Sequence, residues 1–273
     1  MPHEPADDAM VPPDAVGLRW IGHATVLIAL DGSRILTDPV LLDRVGFLRR
    51  HGPAIRPAWY AAVDAVLISH LHRDHLHLPS LALLGRGVRL IVPRGAAPVL
   101  HGAGFRNVEE LAIGGTCLVG RLEVRATPAN HSGFRPPFGP TAEAVGYVVQ
   151  GSRSVYFAGD TDLFPEMADL APMLDLALLP VGGWGPTLGA GHLDPLRAAE
   201  ALARIRPASS VPIHWGSLWP VGLGWLRPEL FSQPAQRFAG HAAVLAPGVE
   251  IVCLRPGEAR HVAVPRAAPG RAP

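Results

Sequence analysis

Cysteine is scarce in this chain. Cys117 and Cys253 are the only two in 273 residues, too few for a disulfide framework. A charge excess is missing as well. Lys+Arg 24 against Asp+Glu 23 leaves a formal net charge of +1, which gives no general attraction to nucleic acid or to an anionic membrane. No stretch reaches the roughly 18 uninterrupted apolar residues of a membrane-spanning helix. Residues 1–14 hold neither a basic n-region nor an apolar h-region, so no signal peptide is expected. These absences point to a cytoplasmic protein with no nucleic-acid partner and no transmembrane segment. Hydrophobic residues make up 48%, enough for a substantial core. The length allows one large or two small domains. No convincing linker interrupts the middle, so a single domain is expected over residues 16–263, between a flexible tail at 1–15 and a disordered Pro/Ala/Arg tail at 264–273.

What the chain does have is His70-Leu71-His72-Arg73-Asp74-His75. The apolar run Ala65 to Ser69 before it reads as a buried strand. The leucine-rich segment Leu76 to Leu84 after it reads as a short helix. The cluster therefore lies at the carboxyl end of a strand, where α/β proteins place their chemistry. His70 and His72, two apart, point the same way in extended chain, while Asp74 and His75 come after the turn and can face a second point. That spacing suits two metal ions side by side. A lone histidine is most often a surface or satisfied core residue; four candidate ligands within six residues is a different density.

The rest of the chain repeats this placement. Leu18 to Leu30 and Ser33 to Thr37 read as two strands joined by the hairpin signal Asp31-Gly32. Asp38 follows the second strand and is weighed evenly between a turn former and a carboxylate that orients a ligating histidine; His23 is a weaker candidate of the second kind. Residues 40–60 read as a loop whose arginines could receive an anion but are expected to be merely solvated. His131 follows a strand, and so does Asp160, in Ala158-Gly159-Asp160-Thr161, where the glycine permits close approach to something bound. Leu176 to Val181 is a strand running into the glycine-dense segment 182–191, which lacks the Lys-Ser/Thr ending of a Walker loop. His192 precedes Asp194-Pro195, an N-cap signal for a helix to about Ile205, and is read as a general acid or substrate contact. His214 ends the strand from Ser210. Residues 217–230, with Trp219, Leu223 and Trp225, are apolar yet irregular and read as core or as a contact with a second copy of the chain, a lipid-facing lip being the bolder reading. Pro228 to Ala239 is expected to be a helix and Ala243 to Leu254 one or two strands. Two strand-rich halves with helices imply two sheets with helices outside, an α/β architecture.

The motif His-x-His-x-Asp-His after a strand, followed in order by His131, Asp160 and His214, resembles the metallo-β-lactamase superfamily. Trp20 to Thr25, Leu36 to Pro39, Phe157 to Thr161 and Ile213 to Gly216 are similar to the branch that contains N-acyl-phosphatidylethanolamine phospholipase D, with L-ascorbate-6-phosphate lactonase in a neighbouring branch. The resemblance runs from about residue 18 to 258. It implies an αββα four-layer sandwich with a dinuclear site. His70, His72 and His131 would hold one metal; Asp74, His75 and His214 the other; Asp160 would bridge. His192, in Gly191 to Pro195, matches an active-site histidine of that branch. Two divalent ions are implied, with Zn²⁺ favoured and Mn²⁺ or Fe²⁺ also suited. His72 stands where the diiron oxidoreductase branch prefers glutamate, and no cysteine occupies a ligand position. The expected activity is hydrolysis of a small-molecule or lipid ester by a metal-bridging hydroxide, a phosphodiester first. Asp74 would hold or receive the proton and His192 would serve the leaving oxygen. A lactone or other carbonyl ester is the alternative, ahead of a nuclease or a non-enzymatic metal-binding protein.

Overall fold

The structure is a computed structural model, described over residues 11–170, 174–185, 187–223 and 228–264. Two seven-stranded mixed sheets dominate it. In the first, the spatial order is Ala259–Ala263, Ala15–Gly22, Thr25–Leu30, Ser33–Thr37, Ala65–Leu67, Leu90–Pro93 and Val108–Leu111. In the second it is Glu250–Ile251, Ser209–Ile213, Leu176–Pro180, Ser154–Phe157, Val145–Gln150, Leu122–Pro128 and Thr116–Val119.

The sequence alternation explains how these sheets stack. Val16, Leu18, Trp20, Val26, Ile28, Ile35 and Leu67 from the first sheet meet Val124, Tyr147, Val149, Phe157, Leu176 and Leu178 from the second in one buried cluster. The intervening side chains Ile21, Leu27, Leu36 and Val66 turn outward and are covered by Leu78–Leu83 and Ala97–Gly102, both helices. On the second sheet Val148, Tyr156, Ala177 and Leu179 are covered by the helices Pro195–Ile205 and Pro234–Leu245. Period-two strands with both faces apolar can be buried only between layers, and the result is the expected helix–sheet–sheet–helix sandwich.

Several expectations need correction. Leu18 to Leu30 is not one strand: His23 and Ala24 form a tight turn between two antiparallel strands, with His23 at φ 53 in the left-handed region. The expected helix from Pro228 is broken into Pro228–Ser232 and Pro234–Leu245, because Pro234 has no N–H to continue the first ladder. The second of these continues through Ala243 to Leu245, where strand was expected; the last strands are Glu250–Ile251 and Ala259–Ala263. Residues 40–60 are not simply loop. Arg44–Val45 and Leu48–Arg50 pair with each other, and Leu218–Pro220 joins them in a small third sheet. Arg50 is buried there and donates to the Pro53 carbonyl rather than facing solvent. Trp219 is buried, while Leu223 is exposed; Trp225 lies outside the described residues. No helix among the described residues is long and apolar enough to cross a membrane.

Candidate metal centre

Strand ends from both sheets converge on one edge of the sandwich. Asp38 follows Ser33–Thr37, the run His70 to His75 follows Ala65–Leu67, His131 follows Leu122–Pro128, Asp160 follows Ser154–Phe157, and His214 follows Ser209–Ile213. All ten side chains singled out from the sequence, His23, Asp38, His70, His72, Asp74, His75, His131, Asp160, His192 and His214, meet there. The donor atoms fall into overlapping sets, each within 4.8 Å: His70, His72 and His131; His23, Asp74, His75 and His214; His70, His75 and Asp160; and His131, Asp160 and His192. Asp160 thus lies between two lobes. Its carboxylate is 3.1 Å from Nε2 of both His75 and His214, and 3.4 Å from Nε2 of His192.

The tautomers decide what this cluster can hold. A carbonyl or carboxylate oxygen can only accept, so the ring nitrogen facing it must carry the proton. Nδ1–H of His75 donates to Asp38 Oδ2 at 2.7 Å. Nδ1–H of His214 donates to the Gly182 carbonyl and that of His131 to the Gly191 carbonyl, both at 2.8 Å. Ser69 Oγ–H is spent on Asp38 Oδ2 at 2.5 Å, so it accepts from His70 Nδ1–H at 3.0 Å. Each of these four imidazoles in its neutral form therefore turns a lone pair inward at Nε2. Nε2 of His75 and His214 face each other at 3.1 Å, and Nε2 of His131 faces Nδ1 of His72 at 3.1 Å. His70 Nε2 and Asp160 Oδ1 are buried without a hydrogen-bond partner. Buried acceptors crowded together without donors are costly, and the group that relieves them is a cation. The residues fit a metal ion on this ground, and a set of imidazoles and carboxylates suits Zn²⁺, Mn²⁺ or Fe²⁺.

The electrostatics agree. Burial opposes charge on His75, but Asp160, Asp74 and Asp38 outweigh it and raise its pKa well above the ordinary value. Burial, with neighbouring imidazoles adding to it, holds His70 and His214 well below the usual range and pushes His72 down to about 4. Burial works against ionised Asp74 and Asp160, yet both are held well below the usual carboxylate range, Asp74 chiefly by His75 and Asp160 chiefly by His214 and His75. His192 is raised, because the Asp160 hydrogen bond and charge outweigh its partial burial.

Four contributors escaped sequence reasoning. Ser69 ties Asp38 to His70; its only signal is its place one residue before the motif. The Gly182 and Gly191 carbonyls fix two histidines, and glycine is needed at 191, where φ is +79 and an added Cβ would lie 3.0 Å from His131 Nδ1. Trp184 Nε1–H donates to Asp74 Oδ2 at 3.1 Å, its only sign being its place in the glycine-dense segment. Gly159 also proves necessary for a different reason than a bound group: at φ +61, an added Cβ would come 2.5 Å from the Ser69 Cβ. Beside Trp184 and Leu188 a cleft of about 410 Å³ opens, walled by Val181, Pro195 and Leu196 and by the charged Glu229 and Arg237. Phe47, 60% exposed, meets the Trp184 ring edge-on at 5.2 Å.

Comparison with known proteins places this arrangement. Residues 33–215, more than half of the chain, match the family model described as the Beta-lactamase superfamily domain. The chain is 34% identical over 247 residues to a UPF0173 metal-dependent hydrolase of Methanopyrus kandleri, covering 88% of this chain and 97% of that protein. It is 31% identical over 229 residues to N-acyl-phosphatidylethanolamine-hydrolyzing phospholipase D 1 of Caenorhabditis elegans, covering 74% of this chain and 64% of that protein. In fold it is similar to a metallo hydrolase of Ignicoccus hospitalis, with TM-score 0.70, 24% identity, and coverage of 90% of this chain and 98% of that one.

Proposed function

This chain belongs to the metallo-β-lactamase superfamily, and from that membership we propose that it is a metal-dependent hydrolase holding two divalent cations, zinc in the first place, and cleaving a phosphodiester that carries an apolar arm. The observation that carries the reading is the convergence of buried acceptor atoms whose imidazoles are locked with their lone pairs inward. His70, His72 and His131 would hold one cation, Asp74, His75 and His214 the other, and Asp160 would touch both. The chemistry such ions supply when bound is Lewis acidity, which activates water near neutral pH and stabilises charge on an ester oxygen.

The chain's own residues do the rest. His192 sits at the mouth, partly exposed, with Nδ1–H donating to the Gly189 and Ala190 carbonyls at 3.0 and 3.1 Å. That leaves Nε2 free to carry a proton beside Asp160 and to deliver it to a leaving oxygen. Asp38 and the carbonyls of Gly182 and Gly191 hold the imidazole planes so that none has to reorient during reaction. The cleft on the apolar side of Val181, Trp184 and Leu188 would take the apolar arm, joined to the cluster through the Trp184–Asp74 hydrogen bond, and it is within the size range of small-molecule pockets, roughly 300–1,000 Å³. The similarity to a phospholipase D that hydrolyses an N-acyl phosphatidylethanolamine supports the phosphodiester over other esters.

Metal-replete protein assayed against a phosphodiester panel, a phospholipid included, beside a lactone panel tests the proposal. Turnover of diesters, lost in Asp74→Asn, is expected. Lactone turnover alone would overturn the choice of phosphorus and move the chain to carbonyl chemistry.

A further inference from the structure

One carboxylate in the cluster is held differently from the other. Asp74 Oδ2 lies 3.0 Å from His23 Nε2 and 3.1 Å from Trp184 Nε1. The indole nitrogen is always a donor, and the ionised carboxylate is acceptor-only, so His23 Nε2 also faces Asp74 as N–H. The two donors come from opposite sheets: His23 from the turn closing the first two strands, Trp184 from the glycine-dense segment after Leu176–Pro180.

His23 is held in place with unusual insistence. Its φ of 53 is a left-handed conformation that a residue with a side chain adopts only when its surroundings over-determine it. Those surroundings are on both faces. Its N–H donates to Ser217 Oγ at 2.5 Å, and its carbonyl accepts from Trp20 Nε1 and from the His214 N–H, both at 2.9 Å. Its ring lies against the His214 ring, with centroids 3.8 Å apart. One turn residue therefore braces two members of the same lobe, Asp74 through the ring and His214 through the backbone. No comparable brace reaches His70, His72 or His131 from His23 or Trp184.

We propose that His23 and Trp184 are positioning residues that clamp Asp74 from the two sheets, so that the second cation position depends on this clamp while the first position does not. The inference rests on the two-cation reading above. It separates the positions: the Asp74, His75 and His214 lobe fails when the clamp is opened, and the three-histidine lobe does not.

The test is stepwise loading of the full chain with Zn²⁺ against a chelating indicator, and with Co²⁺ followed by its visible absorption. His23→Asn is the informative variant, because asparagine tolerates the left-handed backbone and so keeps the Ser217, Trp20 and His214 contacts while removing the ring. Trp184→Phe removes the second donor. In each variant the weaker ion's dissociation constant is expected to rise roughly 10–100-fold, the usual effect of losing a partner that orients a ligand, with the tighter ion unchanged. The Co²⁺ bands of the second ion alone should shift. Equal loss of both ions, or no change in either variant, overturns the inference. If the wild-type chain binds fewer than two ions, the two-cation reading itself fails and takes this inference with it.

Discussion

Replacing Asp38 by asparagine should reverse the proton pattern of the site while leaving the fold standing. Asp38 is fully buried; Oδ1 accepts from Ser69 N–H at 2.8 Å, and Oδ2 accepts from Ser69 Oγ–H at 2.5 Å and from His75 Nδ1–H at 2.7 Å. In Asp38→Asn the amide oxygen must stay on the Ser69 backbone N–H, which can only donate. The amide nitrogen then faces Ser69 Oγ and His75 Nδ1 with two N–H groups. His75 has to accept there, so its proton moves to Nε2. Ser69 Oγ, now an acceptor from the amide, can donate to His70 Nδ1 at 3.0 Å, which moves the proton of His70 to Nε2 as well. One substitution thus turns an inward lone pair in each lobe into an inward N–H. Every group that touches residue 38 keeps a partner, so the metal-free protein should lose about 1–2 kcal/mol there, the difference between a charge-assisted and a neutral hydrogen bond. Metal binding should fall by roughly 10–100-fold per ion, or about 1.4–2.7 kcal/mol each. Chelator competition measures the affinities, calorimetry the metal-free stability, and nitrogen-15 NMR of the imidazoles the tautomers. Wild-type affinity in Asp38→Asn, or unchanged tautomers of His75 and His70, would refute the reasoning.

Other outcomes follow from the same geometry. In the metal-free protein the folded pKa values of His70, His72, His131 and His214 are lowered, chiefly by burial, while those of His75 and His192 are raised. The lowered group resists protons that the unfolded chain takes up below about pH 6.5, so its stability is lost toward acid; the raised pair acts in the opposite sense. His51 and His77, away from the cluster, are lowered by burial too; six against two leaves the unfolded state binding more protons, and stability should fall between pH 7 and 5 by roughly 1.4 kcal/mol per pH unit for each net proton. Thermal melts across that range check the sign, and a rise toward acid would contradict it. Adding zinc at 100 times its dissociation constant should stabilise the fold by about 2.7 kcal/mol per ion, seen as a higher midpoint that chelator abolishes. His192→Gln should keep its metal content and lose roughly 10²–10⁴-fold in turnover; loss of metal would make His192 a ligand instead. Leu196→Arg, at the cleft wall, should flatten the preference for longer alkyl arms in a series of p-nitrophenyl alkyl phosphodiesters, where filling the cleft otherwise gains about fourfold per methylene; an unchanged preference would place the arm elsewhere.

The sequence foretold the sandwich because both-faced apolar strands leave few other layer arrangements. Val26 to Leu30 and Ser33 to Thr37 around Asp31-Gly32 show how local that signal is. The turn at His23 was missed because the residue at its tip is a histidine in a left-handed conformation, a choice made largely by Ser217 and His214 far along the chain, with Trp20 nearby. Likewise the run from Ala243 was read as strand, yet packing of Phe238 and Ala242 against the second sheet extends the helix to Leu245. At the site, spacing within residues 70–75 was readable because it is local. The roles of Ser69 and Trp184 were not, since each depends on a partner 31 or 110 positions away in sequence. Asp38 was left evenly balanced between turn and orienting carboxylate for the same reason: only the 2.7 Å contact with His75 distinguishes them.

The most direct measurement is anomalous diffraction at the zinc edge from crystals of the zinc-loaded chain. Two peaks are expected in each molecule, one against His70, His72 and His131 and one against Asp74, His75 and His214, with Asp160 reaching both. A crystal at saturating zinc with no peak at this cluster, or with a single peak that leaves either set of ligands empty, would contradict the account.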